Sequence, residues 1–286
     1  MQDNCKSTTQ KWPSAGHMVM AAAFSTLIMA LSAVAQTAEP PATTQGKMIS
    51  GAKPVFDVAA ITLSNPSNTQ HGGFNVEGRT VTIDNQRLVD LISFAYGIHT
   101  NQIVNGPSWF ATDRYDIRGV PNIDGEPSLM QLREMISSLL ATRFMLKQHY
   151  EKRPLRVYVL SVSRGGPKLT VSSSDPRDLL HQNTKQFKTQ MAMTFNNASV
   201  ADFVLVMQLY DPRLTGLDRP IVNQTGLIAK YDFRLKWTFD DSTPSDSDSP
   251  PGLFTAVKEQ LGLKFDPTKA TADVLVVDHV ERPSAN

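Results

Sequence analysis

Residues 79–97 read RTVTIDNQRLVDLISFAYG, and residues 191–209 read MAMTFNNASVADFVLVMQL. The two stretches follow one plan. Thr82-Ile83-Asp84-Asn85 leads into Leu88, Val89 and Asp90, and Thr194-Phe195-Asn196-Asn197 leads into Val200, Ala201 and Asp202. Leu88, Leu91, Ile92 and Ala95 recur at i, i+3, i+4 and i+7, the stripe of a helix with one buried face. Val200, Phe203, Val204 and Met207 repeat that stripe. Asn85 and Asn197 stand just ahead of the helices. There a side-chain oxygen can accept from a first-turn N–H that has no partner within the helix.

The correspondence extends outward along the chain. Ile103-Val104-Asn105 and Tyr115-Asp116-Ile117-Arg118 answer Ile221-Val222-Asn223 and Tyr231-Asp232-Phe233-Arg234. Pro127-Ser128-Leu129 answers Pro251-Gly252-Leu253, Leu146-Lys147 answers Leu263-Lys264, and Val157–Leu160 answers Val274–Val277. Matches kept in one order point to a duplicated unit. Leu129, Leu132, Ile136, Leu139 and Leu140 mark a further helix, as do Leu253, Val257 and Leu261. Tyr231, Phe233, Leu235, Trp237 and Phe239 alternate with Asp232, Arg234, Lys236 and Thr238, a strand with one buried and one wet face. Val157–Val162 and Val274–Val277 are more continuously apolar and suit sheet centres. The expected fold class is α+β: a strand–helix–strand–strand–helix–strand–strand unit used twice, in mixed or antiparallel sheets with helices on one face. The first unit is placed at 55–164, the second at 187–286, and a connecting segment at 165–186.

The N-terminus reads as an export signal. Lys6 and Lys11 precede an uncharged run, MVMAAAFSTLIMALSAVA (18–35), that closes on Ala33-Val34-Ala35, and these are the basic, apolar and small-residue parts of a secretory leader. Cleavage is expected near Ala35, with a periplasmic or secreted product and no membrane span afterwards. Residues 36–54 read as a flexible spacer, and DDSTPSDSDSPPG (240–252) as a solvated loop. The lone Cys5 leaves with the leader, so the mature chain can form no disulfide and has no thiolate nucleophile. The whole chain carries 28 Lys and Arg against 27 Asp and Glu. Removing Lys6, Lys11 and Asp3 leaves the two signs equal. With no long basic run, nucleic acid is excluded as a partner, whereas an envelope protein, peptide or glycan is compatible.

No motif carries chemistry. His71, His99, His149, His181 and His279 form no HExxH and no helical ligand spacing, and there is no GxSxG, P-loop or GxGxxG. Catalytic, cofactor-binding and metal residues are each expected to be none. Ligand contact falls instead to Trp109 and Phe110, adjacent aromatics in a Gly-Pro turn, and to Asp116, Arg118, Asp232 and Arg234 on equivalent wet faces. The plainer readings are that the aromatics cap the core and that the charged residues form same-face ion pairs.

Seven stretches carry a family resemblance: FDVAAITLSNP (56–66), GPSW (106–109), RYDIRG (114–119), LLATRFMLKQHYEKRPLRVYVLSVSRGGPKL (139–169), IVNQTGLIAKYDFRLKWT (221–238), LFTAVKEQLGLKF (253–265) and VLVVDHVERPSAN (274–286). Together they are similar to the exported "soil-associated" proteins of unknown function expanded in acidobacteria and their neighbours. That resemblance implies an envelope or secreted location. The family's domain also occurs joined to membrane metallopeptidases of the beta-lactam-sensor type, which implies extracytoplasmic sensing; it brings no established catalytic residues. RTVTIDNQRLVDLISFAYG resembles, in pattern only, the short N-terminal interaction domains of secretins and TonB-dependent receptors. The expected function is a non-catalytic envelope binding or sensor module. The alternative is an envelope hydrolase whose site is assembled from residues distant in sequence.

Overall fold

The computed structural model describes residues 46–65, 67, 72–175, 180–187, 189–239 and 250–283. The leader, residues 36–45 of the spacer, His71, and Asp240-Asp241 with most of their acidic loop lie outside the described residues. The first half runs β1 (Phe56–Leu63), β2 (Gly73–Glu77), β3 (Thr80–Arg87), α1 (Leu88–Tyr96), β4 (Ile103–Val104), β5 (Arg114–Pro121), α2 (Leu129–Arg143) and β6 (Lys147–Val162). The second runs β7 (Thr170–Val171), β8 (His181–Gln186), β9 (Gln190–Ala198), α3 (Val200–Leu209), α4 (Pro212–Thr215), β10 (Ile221–Asn223), β11 (Tyr231–Thr238), α5 (Leu253–Ala256) and β12 (Leu263–His279). A π turn, Val257–Leu261, joins α5 to β12. The chain is a mixed α+β protein, as its periodicities predict.

Among the described residues, three four-stranded sheets carry the fold. Two have matching orders, β1-β5-β3-β2 and β7-β11-β9-β8, and each is antiparallel throughout. The third, β10-β6-β12-β4, is built by exchange. Its centre is the long antiparallel pairing of β6 with β12. The short β4 of the first half lies parallel to β12, and the short β10 of the second half lies parallel to β6.

The two cores follow the same exchange. In one, Val81, Ile83, Tyr115 and Ile117 meet α1 and α2 together with Leu275 and Val277, which come from β12. In the other, Phe195, Leu235 and Trp237 meet α3 and the α5 region together with Tyr158 and Leu160, which come from β6. Each core is therefore completed by apolar side chains from the opposite half.

Three helix starts are set locally. Ser128 Oγ accepts the Gln131 N–H at 3.3 Å while Gln131 Oε1 accepts the Ser128 N–H at 2.9 Å, and Ser199 and Asp202 repeat that exchange at α3. At α1 the cap residue is Arg87, whose N–H reaches Asp90 Oδ2 at 3.3 Å. The caps are thus Arg87 and Ser199, and the expected capping by Asn85 and Asn197 is corrected. Both asparagines lie earlier, in β-bulges, with φ of 53° and 55°. Asp84 and Asn85 together face Asp116 across the ladder, and Asn196 and Asn197 together face Asp232. Two residues against one leaves an amide pointing out of register. The opposing carboxylate takes it: Asn85 N–H donates to Asp116 Oδ1 at 2.7 Å and Asn197 N–H to Asp232 Oδ1 at 2.8 Å. Asparagine suits the site because it tolerates the left-handed region better than other side chains.

Two boundaries also move. Residues 46–54 are packed against the domain: Met48 is buried, its N–H donates to the Glu126 carbonyl at 2.9 Å, and Gln131 Nε2 donates to the Ile49 carbonyl at 3.0 Å. The segment 165–186 supplies the edge strands β7 and β8 of the β7-β11-β9-β8 sheet, so it is part of the scaffold as well as a connection. Both are polar stretches whose order comes from partners distant in sequence, which composition does not register.

Candidate functional site

A cavity of about 730 Å³ opens between the two halves. One wall is the β3 bulge, the inner turns of α1 and the first residue of β5. The other is the passage from the end of α3 through α4. The bulge positions the first wall. Asn85 is held from both sides by β5, with Asp116 taking its N–H and Arg114 Nη1 donating to its carbonyl at 2.9 Å. Ser64 Oγ donates to the same Asp116 Oδ1 at 2.7 Å, so that carboxylate is the fixed point behind the wall.

Charge on the walls is uneven. Arg87 donates through Nε and Nη2 to Asp90 at 2.7 and 2.6 Å, and this bond holds its pKa above the ordinary arginine value. Arg213 pairs with Asp211, with Nε 3.0 Å from Oδ2. Arg114 lies directly across the ladder from Arg87, is exposed, and pairs with no carboxylate among the described residues. Three guanidinium groups thus meet two carboxylates. The apolar part of the wall is Phe74 stacked on Phe94, with centroids 4.2 Å apart and planes at 14°.

His99 reaches the cavity but is held by backbone. Its Nδ1 accepts the Asn101 N–H at 3.1 Å, and the ring makes a second bond to the Leu217 backbone. Burial disfavours the imidazolium and pushes the pKa below the usual histidine value. Beside it, Asn101 Nδ2 donates to the Asp218 carbonyl at 3.0 Å and Gln102 Nε2 to the Asp273 carbonyl at 2.8 Å, so this turn stitches the first half to the second. A neighbouring seam joins Tyr158, Asp218 and Arg219. The tyrosine hydroxyl donates to Asp218 at 2.9 Å, and Arg219 stacks 4.8 Å over the ring. The Arg219 bond, at 2.9 Å, is the main reason the Asp218 carboxyl titrates low, at about 2.

The residues singled out by sequence fall in several places. Phe110 is buried in the first core, and Trp109 is half-buried under Arg282, whose guanidinium lies 4.8 Å over its ring and bonds Asp113 at 2.8 Å. Asp116 and Asp232 hold the two bulges. Arg118 and Arg234 are exposed, and no ion pair joins them to Asp116 or Asp232 among the described residues. Among the six, Asp116 comes nearest the cavity, one residue behind its wall. Arg114, Arg87 and Arg213 were missed. Their one sequence signal was position: Arg114 precedes the repeated Tyr-Asp block, and Arg87 precedes the first helix.

Of the other histidines, His149 lies exposed between Asp278, 2.9 Å from Nδ1, and Glu151, 3.2 Å from Nε2. The bond to Asp278, then that to Glu151, raises its pKa. The carboxylates approach opposite ring nitrogens, and no cluster of three or more His, Cys, Asp or Glu side chains among the described residues could hold a metal ion. His279 Nε2 contacts Glu281 at 2.8 Å.

These features define a two-half α+β protein with a polar cleft at its seam. Residues 89–280 match the model of a protein family of unknown function, DUF3738, and the chain belongs to that family. No curated protein and no solved structure matches it. No helix among the described residues is long and apolar enough to cross a membrane.

Proposed function

We propose that this chain is an exported, non-catalytic binding module that takes a peptide or glycan in the cleft between its halves. The observation that carries the reading is the cleft itself. Its polar side chains converge from both halves, and an aromatic stack offers one apolar face, a composition suited to ligand binding. Catalysis would need a base free to engage a nucleophile. Here His99 is tied to two backbone groups, while His149 and His279 face carboxylates. The leader at 18–35 supports export and a periplasmic or secreted address. The matched bulges, helices and sheet orders support two copies of one unit. A soil-associated, acidobacterial-type origin and a sensing role rest on the resemblance alone.

The test has two parts. N-terminal sequencing of protein recovered outside the cytoplasm should begin at or near Gln36; recovery of residues 18–30 on the mature chain would overturn export. Thermal-shift screening against short peptides and oligosaccharides should give a ligand whose stabilisation disappears in Thr100→Trp, a substitution that fills the cleft. Stabilisation that survives the filled cleft would place binding elsewhere.

A further inference from the structure

We infer that the cleft's ligand carries a carboxylate, received by Arg114 beside the Arg87–Asp90 pair. This rests on the binding reading above and names the chemistry of the same site. Arg87 and Arg114 face each other on adjacent strands, a like-charge juxtaposition that destabilises a sheet unless counter-charge is supplied. Asp90 supplies one negative charge and spends two bonds on Arg87. Asp211 is engaged by Arg213 on the opposite wall. Arg114, which lines the cleft and is exposed, makes one side-chain bond among the described residues, from Nη1 to the Asn85 carbonyl, and leaves its other donors available.

The scaffold does not require this arrangement. In the second half the bulge is closed in the same way by Asp232, yet Ser199 stands where Arg87 stands in the first half, and Lys230 where Arg114 stands. The arginine pair is therefore an addition to one copy of a shared device, on the side that lines the cavity. A guanidinium with free donors offers a fork that matches a carboxylate in two parallel bonds. His99, kept neutral by burial, adds no charge. Among the described residues the wall's surplus is one positive charge, which suits a monoanion better than a doubly charged phosphate. The Phe74–Phe94 stack, in the same cavity, would receive the apolar body of the ligand.

A carboxylate could come from a peptide C-terminus or from a uronic acid, and the experiment separates them. Titration calorimetry of the full mature chain would use N-acetyl-trialanine as free acid and as amide, and a glucuronate-terminated disaccharide with its methyl ester. At least one acid is expected to bind about ten-fold or more tightly than its neutral analogue. That ratio should fall towards one in Arg114→Gln, be partly kept in Arg114→Lys, and shrink as salt is raised. The inference is overturned if neither acid exceeds its neutral form, if the ratio survives Arg114→Gln in a protein that melts normally, or if inorganic phosphate binds more tightly than both acids. Should Arg114→Gln fail to fold, a wild-type acid-to-neutral ratio insensitive to salt overturns it equally. Neutral probes that bind, and are lost in Thr100→Trp, would leave the cleft reading standing while the carboxylate fails. If no probe binds, the carboxylate inference fails as well.

Discussion

Removing the Asp116 carboxylate should unfasten one bulge and leave the other intact. Asp116 Oδ1 receives the Asn85 N–H and the Ser64 hydroxyl, both at 2.7 Å, and both donors belong to buried residues, Asn85 4% and Ser64 8% exposed. A hydrogen bond to a charged acceptor contributes about 1.5–3 kcal/mol, and a buried donor left alone costs a similar amount, so Asp116→Ala should destabilise by about 2–4 kcal/mol. Asp232 Oδ1 holds the Asn197 N–H at 2.8 Å, and Asp232→Ala should cost about 1.5–3 kcal/mol. In a domain of this size each kcal/mol moves Tm by about 2–4 °C, so both losses are visible in a thermal melt. Asp116→Asn keeps an acceptor and should lose roughly 1 kcal/mol. The two sites share no partner, so the double alanine variant should be additive within about 0.5 kcal/mol. Arg118→Ala and Arg234→Ala are the controls and should stay within about 0.5 kcal/mol, as exposed substitutions do. If the arginine variants cost as much as the aspartate variants, the residues work as surface ion pairs. If the aspartate variants themselves fall within 0.5 kcal/mol, the bulge clamp is wrong.

Other consequences can be checked with the same protein. Trp237 is fully buried and donates through Nε1 to the Leu214 carbonyl at 2.7 Å, so Trp237→Ala should cost about 3–5 kcal/mol in urea unfolding; a loss near 1 kcal/mol would mean the second core repacks around it. In an NMR titration His99 should change protonation below, and His149 above, the free-histidine value of about 6.5, and coincident midpoints would refute both environments. The linked stability terms have opposite signs. The His99 contribution is complete above about pH 6.5 and is lost as pH falls below it, whereas the His149 contribution is complete below about pH 6.5 and is lost as pH rises through its raised folded value. Gln131→Ala removes the bond to the Ile49 carbonyl and one arm of the α2 cap, so proteolysis around residues 46–54 should quicken while the rest of the domain resists.

Much of this fold was legible because local patterns carry it. The stripes at Leu88–Ala95, Leu129–Leu140 and Val200–Met207 became helices, and the alternation at Tyr231–Trp237 became a strand with a buried face. The repeated Asn and Asp were legible as recurring letters, but their meaning depends on cross-strand pairing. An asparagine before a helix looks like a cap until the partner strand puts an aspartate opposite it. The exchange of β4 and β10 left no local trace, because two- and three-residue strands are apolar fragments until their neighbours are known. The cleft was illegible for the same reason: Arg87 and Arg213 belong to different halves, and no spacing rule links them. Residues 46–54 read as spacer because composition counts polar residues and cannot count the backbone bonds they make.

The strand exchange has a consequence for the order in which the chain can fold. As it emerges from its N-terminus, β4 and β6 both appear long before β12, on which both of them pair. The first core likewise lacks Leu275 and Val277 until that strand arrives. The β1-β5-β3-β2 sheet can pair within residues 56–121, but its core stays unfinished until the last strand is present. Contacts this distant in sequence close slowly, so the nascent chain passes that interval with β4 and β6 lacking their shared partner and its first core short of two side chains.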